Sequence, residues 1–385
     1  MDTSDPEIEF DATGVCNHCH RYLSVIANDA LRGTEGRAAL EQIARRMRAD
    51  GKHKKYDCII GLSGGVDSTY VAYLTRQLGL RPLAIHLDNG WNSEIATRNI
   101  ENVVTRLGID LQTKVLNWAE FRSLQVAFLR ASTPDCEIPT DHAITTVLYQ
   151  AAVAHGVRYI VSGHNFATEQ MMPRSWSFGH FDWRYIASVA RQHGDQPLRT
   201  FPHYTAFEQE CVFPFWHRIR ELAPLNLVDY NKQEIADILE RELGWRAYGS
   251  KHHESIYTRF YQTWILPRKF GVDKRRPHLS CLVNGGQLTR DQALTEIARP
   301  ALDERQLDTD RRFVLKKLAL SESEFAAIEA APIRSFWDYD SYEANRPFWW
   351  ESLTWRAARL LGEPTAIAPL QRDADRQVAA AASKP

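Results

Sequence analysis

Cys58-Ile59-Ile60-Gly61-Leu62-Ser63-Gly64-Gly65-Val66-Asp67-Ser68-Thr69-Tyr70-Val71-Ala72-Tyr73-Leu74 is the stretch that decides the fold of this chain. The apolar run reads as a short buried strand, the paired glycines as a tight turn, and the residues after them as a helix start. That order gathers backbone N–H groups and a helix N-terminus around one point, which is a site for a phosphate. The turn has neither the Lys-Ser/Thr pair of a Walker A loop nor the three spaced glycines of the dinucleotide fingerprint. Ser63 and Ser68 offer hydroxyl donors, Gly64 and Gly65 let a phosphate meet bare backbone, and Asp67 suits a Mg²⁺ ion. An ordinary strand-to-helix turn is the competing reading.

Outward from the loop, strand and helix patterns alternate. The first helix closes near Leu78-Gly79, and Pro82 to Leu87 reads as a buried strand. Glu94 to Leu107 carries a helical apolar stripe that ends at Gly108; Ile109 to Leu116 follows as a strand with alternating faces. A helix over about Asp141 to Ala154 and the strand Tyr159 to Ser162 complete the pattern, which predicts an α/β fold with a doubly wound parallel sheet. Ligands collect beyond the C-terminal ends of such strands, so the Ser63–Ser68 loop, His86 to Trp91, and Gly163-His164-Asn165 with Glu169 are the candidates. For His86 and His164 a hydrogen-bonded structural role competes with a catalytic one.

A chain of 385 residues with 44% apolar and 25% charged content buries a sizeable core and spans two or three domains. Its net charge of −1 argues against a global polyanion-binding surface. The acidic start lacks the basic and apolar regions of a secretory signal, and no apolar run reaches the ~18 residues of a membrane span, so the expected location is the cytoplasm. Six cysteines, four of them scattered as Cys58, Cys136, Cys211 and Cys281, do not make a disulfide framework. The expected organisation is a knuckle and helix over 1–50, an ATP-binding domain over 51–170, substrate-side loops over 171–286, and a helical region with a disordered tail over 287–385.

The Ser63–Ser68 turn resembles the SGGxDS loop of the PP-loop ATP pyrophosphatases, which split ATP into AMP and pyrophosphate and use the AMP to activate a carbonyl oxygen. Further motifs narrow the likeness. Gly244 to Ser255, Tyr257 to Gln262, Leu266 to Ser280, Pro139-Thr140-Asp141-His142-Ala143-Ile144 and Asp2-Thr3-Ser4-Asp5-Pro6 are similar to the N-acetyl sugar amidotransferases of bacterial surface-polysaccharide synthesis. The resemblance runs from Asp2 to about Tyr339. It implies ATP and Mg²⁺, a nucleotide-linked N-acetyl sugar as substrate, and an acetamidino group as product. It also implies ammonia from a separate glutaminase with a cyclase-like subunit; no glutaminase Cys nucleophile is evident in this chain. Carried over residue by residue, it gives catalytic roles to Asp67, Ser68 and Lys251. Nucleotide-binding roles go to Ser63, Gly64, Gly65, Asp67, Ser68, Asp88, Asn89, Gly163 and Asn165. Substrate-side roles go to Asp141, His142, Lys251, His252, Glu254, Lys274, Arg275 and Arg276. A PP-loop tRNA-modifying enzyme and a non-catalytic nucleotide-binding subunit are the rivals.

Three features stay open at this stage. Arg268, Lys269, Lys274, Arg275 and Arg276, five cations within nine residues, suit an anionic small substrate; they also suit an RNA patch beside Tyr257, Phe260, Tyr261, Trp264 and Phe270, or a solvated face. Cys16 and Cys19 form half of a zinc knuckle whose other pair is missing. Family members carry a second CxxC upstream of the position of Asp2, so the start is an internal methionine, or His18 or His20 completes the site, or the site is lost. With two thiolates alone, the first ~20 residues are expected to be mobile. The aromatic stretch from 171 to 243, with Trp176, Phe178, Phe181, Trp183, Phe213, Phe215 and Trp216, is expected to wall the sugar pocket in part. Helices are expected after Thr289, around Val314 to Leu320, over Glu322 to Ala330 and over Trp349 to Leu361.

Overall fold

A computed structural model of the protein describes residues 1–249 and 253–345. Five strands, β1 (Cys58–Gly61), β2 (Pro82–Asp88), β3 (Asp110–Val115), β4 (Tyr159–Val161) and β5 (Arg220–Leu222), lie side by side in the order β3-β2-β1-β4-β5. Every pairing is parallel, with Cys58 opposite Pro82 and Ile59 opposite Ile160. The chain builds β2 and β3 on one side of β1 and then returns to lay β4 and β5 on the other. The gap above β1 and β4 is therefore the point where the winding reverses.

Both faces of the sheet are covered, and the two-residue period of β1 shows how. Cys58 and Ile60 point into a core with Leu40, Val71, Ala72, Ile100, Val103 and Leu239. Ile59, with Leu83, Ile85 and Ile160, points the other way against Val147, Ala151 and Phe213. A third core lies beyond the sheet, where Phe121, Phe128, Tyr185, Tyr257, Phe260, Tyr261, Leu315 and Phe325 pack together. The helices Trp118–Ala131, Trp183–His193, Ile256–Phe260, Glu304–Leu318 and Glu322–Ala330 build it, so the C-terminal region is largely helical.

Local chemistry sets the boundaries. Ser93 caps Glu94–Leu107 by accepting from the Ala96 N–H, and Gly108 ends it in the left-handed conformation at φ +59°. Thr289 and Ser321 form capping boxes with Gln292 and Glu324. Three expectations change, and two elements are new. The helix expected from Asp141 starts at Ile138, with Pro139 in its first turn. The helix expected from Val314 starts at Glu304, capped by Asp303. β3 is exposed along all six residues, because it is the sheet's edge, where Asp110 pairs with Lys55 rather than facing a core. β5, Arg-Glu-Leu, and the helix Trp118–Ala131 were not read from the sequence. The expected helix from Trp349 to Leu361 and the chain end lie outside the described residues.

The N-terminal arm is tied down rather than mobile. Asp2 pairs with Arg276, Phe10 bridges to Cys16, and Arg21 donates to the Gln170 carbonyl at 3.0 Å. Cys16 caps the helix Asn17–Asp29, and its sulfur lies 3.4 Å from that of Cys19. His18 and His20 turn away from the pair to Asp5 and Asp11, at 2.6 and 2.7 Å. Among the described residues no group of three or more His, Cys, Asp and Glu side chains could hold a metal ion, so the expected zinc knuckle is not assembled here.

Candidate active site

The Ser63–Ser68 loop joins β1 to the helix Val66–Gln77 at the reversal point. Gly64 sits at φ +82°, and a Cβ there would stand 2.5 Å from the Ala96 carbonyl oxygen, so the position admits only glycine. Its own carbonyl accepts from Trp245 Nε1 at 2.9 Å and Asn99 Nδ2 at 3.3 Å. The Ser63 N–H donates to Ser68 Oγ at 3.3 Å, Ser68 Oγ donates to the Gly65 carbonyl at 3.1 Å, and the Gly65 N–H donates to Ser63 Oγ at 3.3 Å. These bonds curl the loop around its own hydroxyls at the positive end of a helix dipole.

The loop leaves room for a phosphate chain. A Cβ on Gly65 would come within 3.0 Å of Tyr248 Oη and 3.2 Å of Ser63 Oγ, so the bare glycine keeps that space open. Across the gap, Gly163 at the end of β4 lies so near the helix start that a Cβ would be 3.2 Å from the Asp67 backbone carbon and 3.3 Å from the Ser68 nitrogen. Tyr230 Oη donates to the Asp67 carboxylate, and burial together with that charge drives the phenol far above its ordinary range, so it remains a donor. Tyr248 Oη bonds to Glu254 and to the Val66 N–H, closing the loop's outer side.

At the other strand ends most candidate side chains bond to the backbone. His86 Nδ1 contacts the Leu62 carbonyl at 2.8 Å and Nε2 contacts Asn92 Nδ2 at 3.0 Å, which fixes the ring as a strut between β1 and β2. Asp88 and Asn89 accept from the Gly90 and Trp91 N–H groups and shape the turn. Asn165 is buried and caps Phe166–Glu169 through the Thr168 N–H at 2.9 Å. His164 lies outside, 3.0 Å from Glu169.

Of the expected substrate-side residues, Lys274 and Arg275 line a cleft of about 640 Å³, together with Lys232, His253, Gln262 and His278 among others; Asp141, His142, Glu254 and Arg276 are not part of its lining. Arg275 is held by Asp273 at 2.8 Å and donates to the carbonyls of Glu296 and Arg299, at 3.1 and 2.9 Å. Arg276 reaches Asp2. Lys274 is the remaining cation of the trio: it is nine-tenths buried and has no hydrogen-bond partner among the described residues. Behind it stand Asp135, Glu137, Asp141 and His180. His180 Nε2 lies 3.3 Å from both Asp135 and Asp141. Against its burial, Asp135 is held below the usual carboxylate range by Lys274 and His180. Burial pushes Glu137 up to about 8. His142 is in the core at 0% exposure, stacked on Tyr204 at 4.4 Å, with Nδ1 on the His180 carbonyl at 2.9 Å; it positions His180 rather than facing the cleft. Glu254 borders the loop. Lys251 and His252 lie outside the described residues.

Two expectations are corrected by burial. The stretch Tyr257 to Gln262, read as a site for its mix of charge and aromatics, is a core element in which Tyr257, Phe260 and Tyr261 are fully buried. Trp264 is covered by Arg268, 3.8 Å from its ring, and donates to Glu329 at 2.7 Å. Of the five rings the RNA reading relied on, Tyr257, Phe260 and Tyr261 are therefore closed to base stacking. Of the aromatics expected to wall a sugar pocket, Trp176 and Phe213 are core residues, and Trp183 stacks on His203 at 3.9 Å.

Sequence reasoning missed Asn99, Trp245, Tyr230, Tyr248, Glu137 and His180. Trp245 and Tyr248 fall inside a motif that was singled out as a whole. Tyr230, beside the helix cap Asn231, carries no local signal, because its role depends on a contact 163 residues away.

Residues 40–173 match the NAD synthase family, and residues 254–356 match the family described as LPS biosynthesis protein WbpG-like, C-terminal domain. An uncharacterized protein of Methanocaldococcus jannaschii is 23% identical over 313 residues, covering 80% of this chain and 94% of that one. A tRNA-specific 2-thiouridylase of Fusobacterium nucleatum is 26% identical over 189 residues, and the chain spans about half of its length, 49%. Among solved structures, the NMN synthetase of Francisella tularensis aligns at 15% identity and a TM-score of 0.36, covering 74% of this chain and 96% of that one. The NH₃-dependent NAD synthetase of Campylobacter jejuni aligns at 14% and 0.29, covering 78% and 98%.

Proposed function

We propose that the chain, with an NAD-synthase-like segment at 40–173 and a WbpG-like C-terminal segment at 254–356, is an N-acetyl sugar amidotransferase of the PP-loop superfamily and converts the acetamido group of a nucleotide-linked sugar into an acetamidino group. One observation carries the reading. A loop with room for a phosphate chain, followed by Asp67, stands at the reversal point of the sheet, and a cleft lined mostly by residues of the WbpG-like segment includes Gly249 and His253, the chain neighbours of the Tyr248 and Glu254 that border the loop.

The chemistry follows from what the loop can hold. An amide carbon is a poor electrophile, but its oxygen is a competent nucleophile towards the α-phosphorus of ATP. Attack forms the O–P bond and releases pyrophosphate, which the Ser63 and Ser68 hydroxyls and the helix N-terminus are placed to receive. Asp67, oriented by Tyr230, would hold a Mg²⁺ ion, which screens the leaving charge when bound. Ammonia then adds to the activated carbon, and the C–O bond breaks to release AMP. A separate glutaminase with its cyclase-like subunit supplies that ammonia in this reading.

The thiouridylase likeness makes tRNA the alternative substrate. The burial of Tyr257, Phe260 and Tyr261 favours the sugar. Incubation of the protein with ATP, Mg²⁺, ammonium and UDP-linked 2,3-diacetamido uronic acids tests the proposal. AMP and pyrophosphate formed in step with amidine support it; ADP and phosphate overturn it.

A further inference from the structure

The first turn of the helix Val66–Gln77 is where a phosphate would bond, and one of its N–H groups is taken from within the chain. Tyr248 Oη accepts from the Val66 N–H and donates to the Glu254 carboxylate. Both groups stand in the opening that bare Gly65 leaves: a Cβ there would lie 3.0 Å from Tyr248 Oη and 3.4 Å from Glu254 Oε1. A phosphate entering on this side meets a hydroxyl on its donor and a carboxylate of its own sign. The two side chains also flank residues that touch the cleft. Gly249, the residue after Tyr248, and His253, the residue before Glu254, both line it, and a Cβ on Gly249 would be 3.5 Å from His253 Nδ1.

We propose that Tyr248 and Glu254 form a plug in the nucleotide loop that is released when the sugar nucleotide fills the cleft, so that ATP and the sugar nucleotide bind cooperatively. The anchors on either side decide what moves. Trp245 Nε1 donates to the Gly64 carbonyl at 2.9 Å, and the Arg246 N–H donates to Asn99 Oδ1 at 2.9 Å. On the far side the Ser93 N–H donates to the Glu254 carbonyl at 2.8 Å and the Ile256 N–H to the Trp91 carbonyl at 2.9 Å. The backbone is therefore tied at Arg246 and at Glu254. Between these ties the Tyr248 ring lies edge-on to Trp245, with ring centres 5.9 Å apart, and is followed by Gly249 at φ +98°, a conformation that favours glycine. Rotation of the Tyr248 side chain frees the Val66 N–H and removes from Glu254 a donor that holds its carboxylate beside the loop.

This inference rests on the function proposed above and adds an order of events to it. A ligand shifts such an equilibrium only by binding the two arrangements unequally, and contact with Gly249 and His253, one residue from each member of the plug, is how the cleft ligand does so. Linkage makes the effect mutual: ATP tightens the sugar nucleotide by the same factor. The consequence is chemical. ATP held beside water with no acceptor amide is open to hydrolysis, and a loop that admits ATP fully only when the acceptor is seated avoids that loss.

The test is calorimetric titration of the full chain with Mg²⁺ and α,β-methylene ATP, which cannot release pyrophosphate, alone and in the presence of UDP-linked 2,3-diacetamido uronic acids of gluco and manno configuration. The sugar nucleotide is expected to lower the wild-type Kd for the ATP analogue about tenfold. Tyr248→Phe keeps the ring and frees the Val66 N–H; it should bind the analogue about tenfold tighter than the wild type without sugar, and gain no more than about twofold when sugar is added. Glu254→Gln should shift in the same direction, and it carries the same test should Tyr248→Phe unfold. Wild-type or weaker affinity for the analogue in the folded variants overturns the plug, since the hydroxyl would then be indifferent to phosphate or a donor to it. Equal affinity of the wild type for the analogue with and without bound sugar nucleotide overturns the coupling while leaving the proposed function standing. Failure of the wild type to bind the sugar nucleotide overturns the proposed function itself, and the affinity of Tyr248→Phe for the analogue alone still decides the plug.

Discussion

The Tyr230 hydroxyl donates a hydrogen bond to the Asp67 carboxylate, joining the segment before the helix Lys232–Leu243 to the first turn after the glycine loop. Asp67 stands in the first turn of the helix that the loop opens, and the direction of its carboxylate decides whether a metal there would meet one of its oxygens. Tyr230 is itself buried, so the pair is shielded from solvent and resists reorientation.

Tyr230→Phe removes one neutral-donor bond to a charged acceptor, worth about 1.5–3 kcal/mol at most, and is expected to raise the apparent Kd for Mg²⁺-ATP by about tenfold or more. Asp67→Ala removes the ligand itself and is expected to abolish turnover. Calorimetric titration with Mg²⁺-ATP measures the first and AMP release the second; normal turnover in Asp67→Ala would show that the carboxylate binds no essential metal.

Gly64→Ala places a methyl group 2.5 Å from the Ala96 carbonyl oxygen at φ +82°. The backbone conformation alone costs about 1–2 kcal/mol, and the clash adds to it. The expected outcome is a lowered Tm and loss of ATP binding even in protein that remains folded, measured by thermal unfolding with and without nucleotide.

Arg275 divides stability from substrate binding. Its guanidinium is partly buried and ties Asp273 to the C-terminal carbonyls of the helix Arg290–Ala298. Arg275→Ala is expected to lower stability by about 2–3 kcal/mol in urea titrations while leaving the Kd for ATP unchanged. An unaltered urea midpoint would mean that these bonds contribute nothing.

Burial pushes both His142 and His253 down to about 4 from the usual 6.5. A histidine lowered on folding binds protons more readily in the unfolded chain, so its contribution is complete above pH 6.5 and is lost as pH falls towards 4. Each accounts for about 3 kcal/mol as a ceiling. Glu137, raised on folding, has the opposite sign: its contribution is lost as pH rises through about 8. That loss runs over the whole interval from about 4.5 to 8, so the urea midpoint is expected to peak near pH 6.5 and to fall again towards pH 8. His142→Gln, which keeps a donor for the His180 carbonyl, should flatten the acid side.

The sheet and its nucleotide end were legible because they rest on local rules. A two-residue burial period marks β1, glycines with positive φ close the turns after helices, and Ser93 and Thr289 announce helix starts. β5 was hidden because three residues, two of them charged, show no period. Tyr257, Phe260 and Tyr261 were misread because charged neighbours such as Arg259 broke the apolar pattern; in the structure Arg259 is paired with Asp310 at 2.6 Å and is carried into the interior with its counter-ion. The polar cluster behind the cleft was half legible. Lys274 and Asp141 came from a motif, whereas Glu137 and His180 meet them only through tertiary packing.

The fate of the amide oxygen tests the central claim most directly. With ¹⁸O in the acetamido carbonyl of the sugar nucleotide, adenylation of that oxygen followed by its displacement by ammonia must place the label in the phosphate of AMP. Mass spectrometry of the products is expected to find one ¹⁸O per AMP and none in pyrophosphate. Unlabelled AMP, with the isotope retained in the sugar or recovered in inorganic phosphate, would contradict the account.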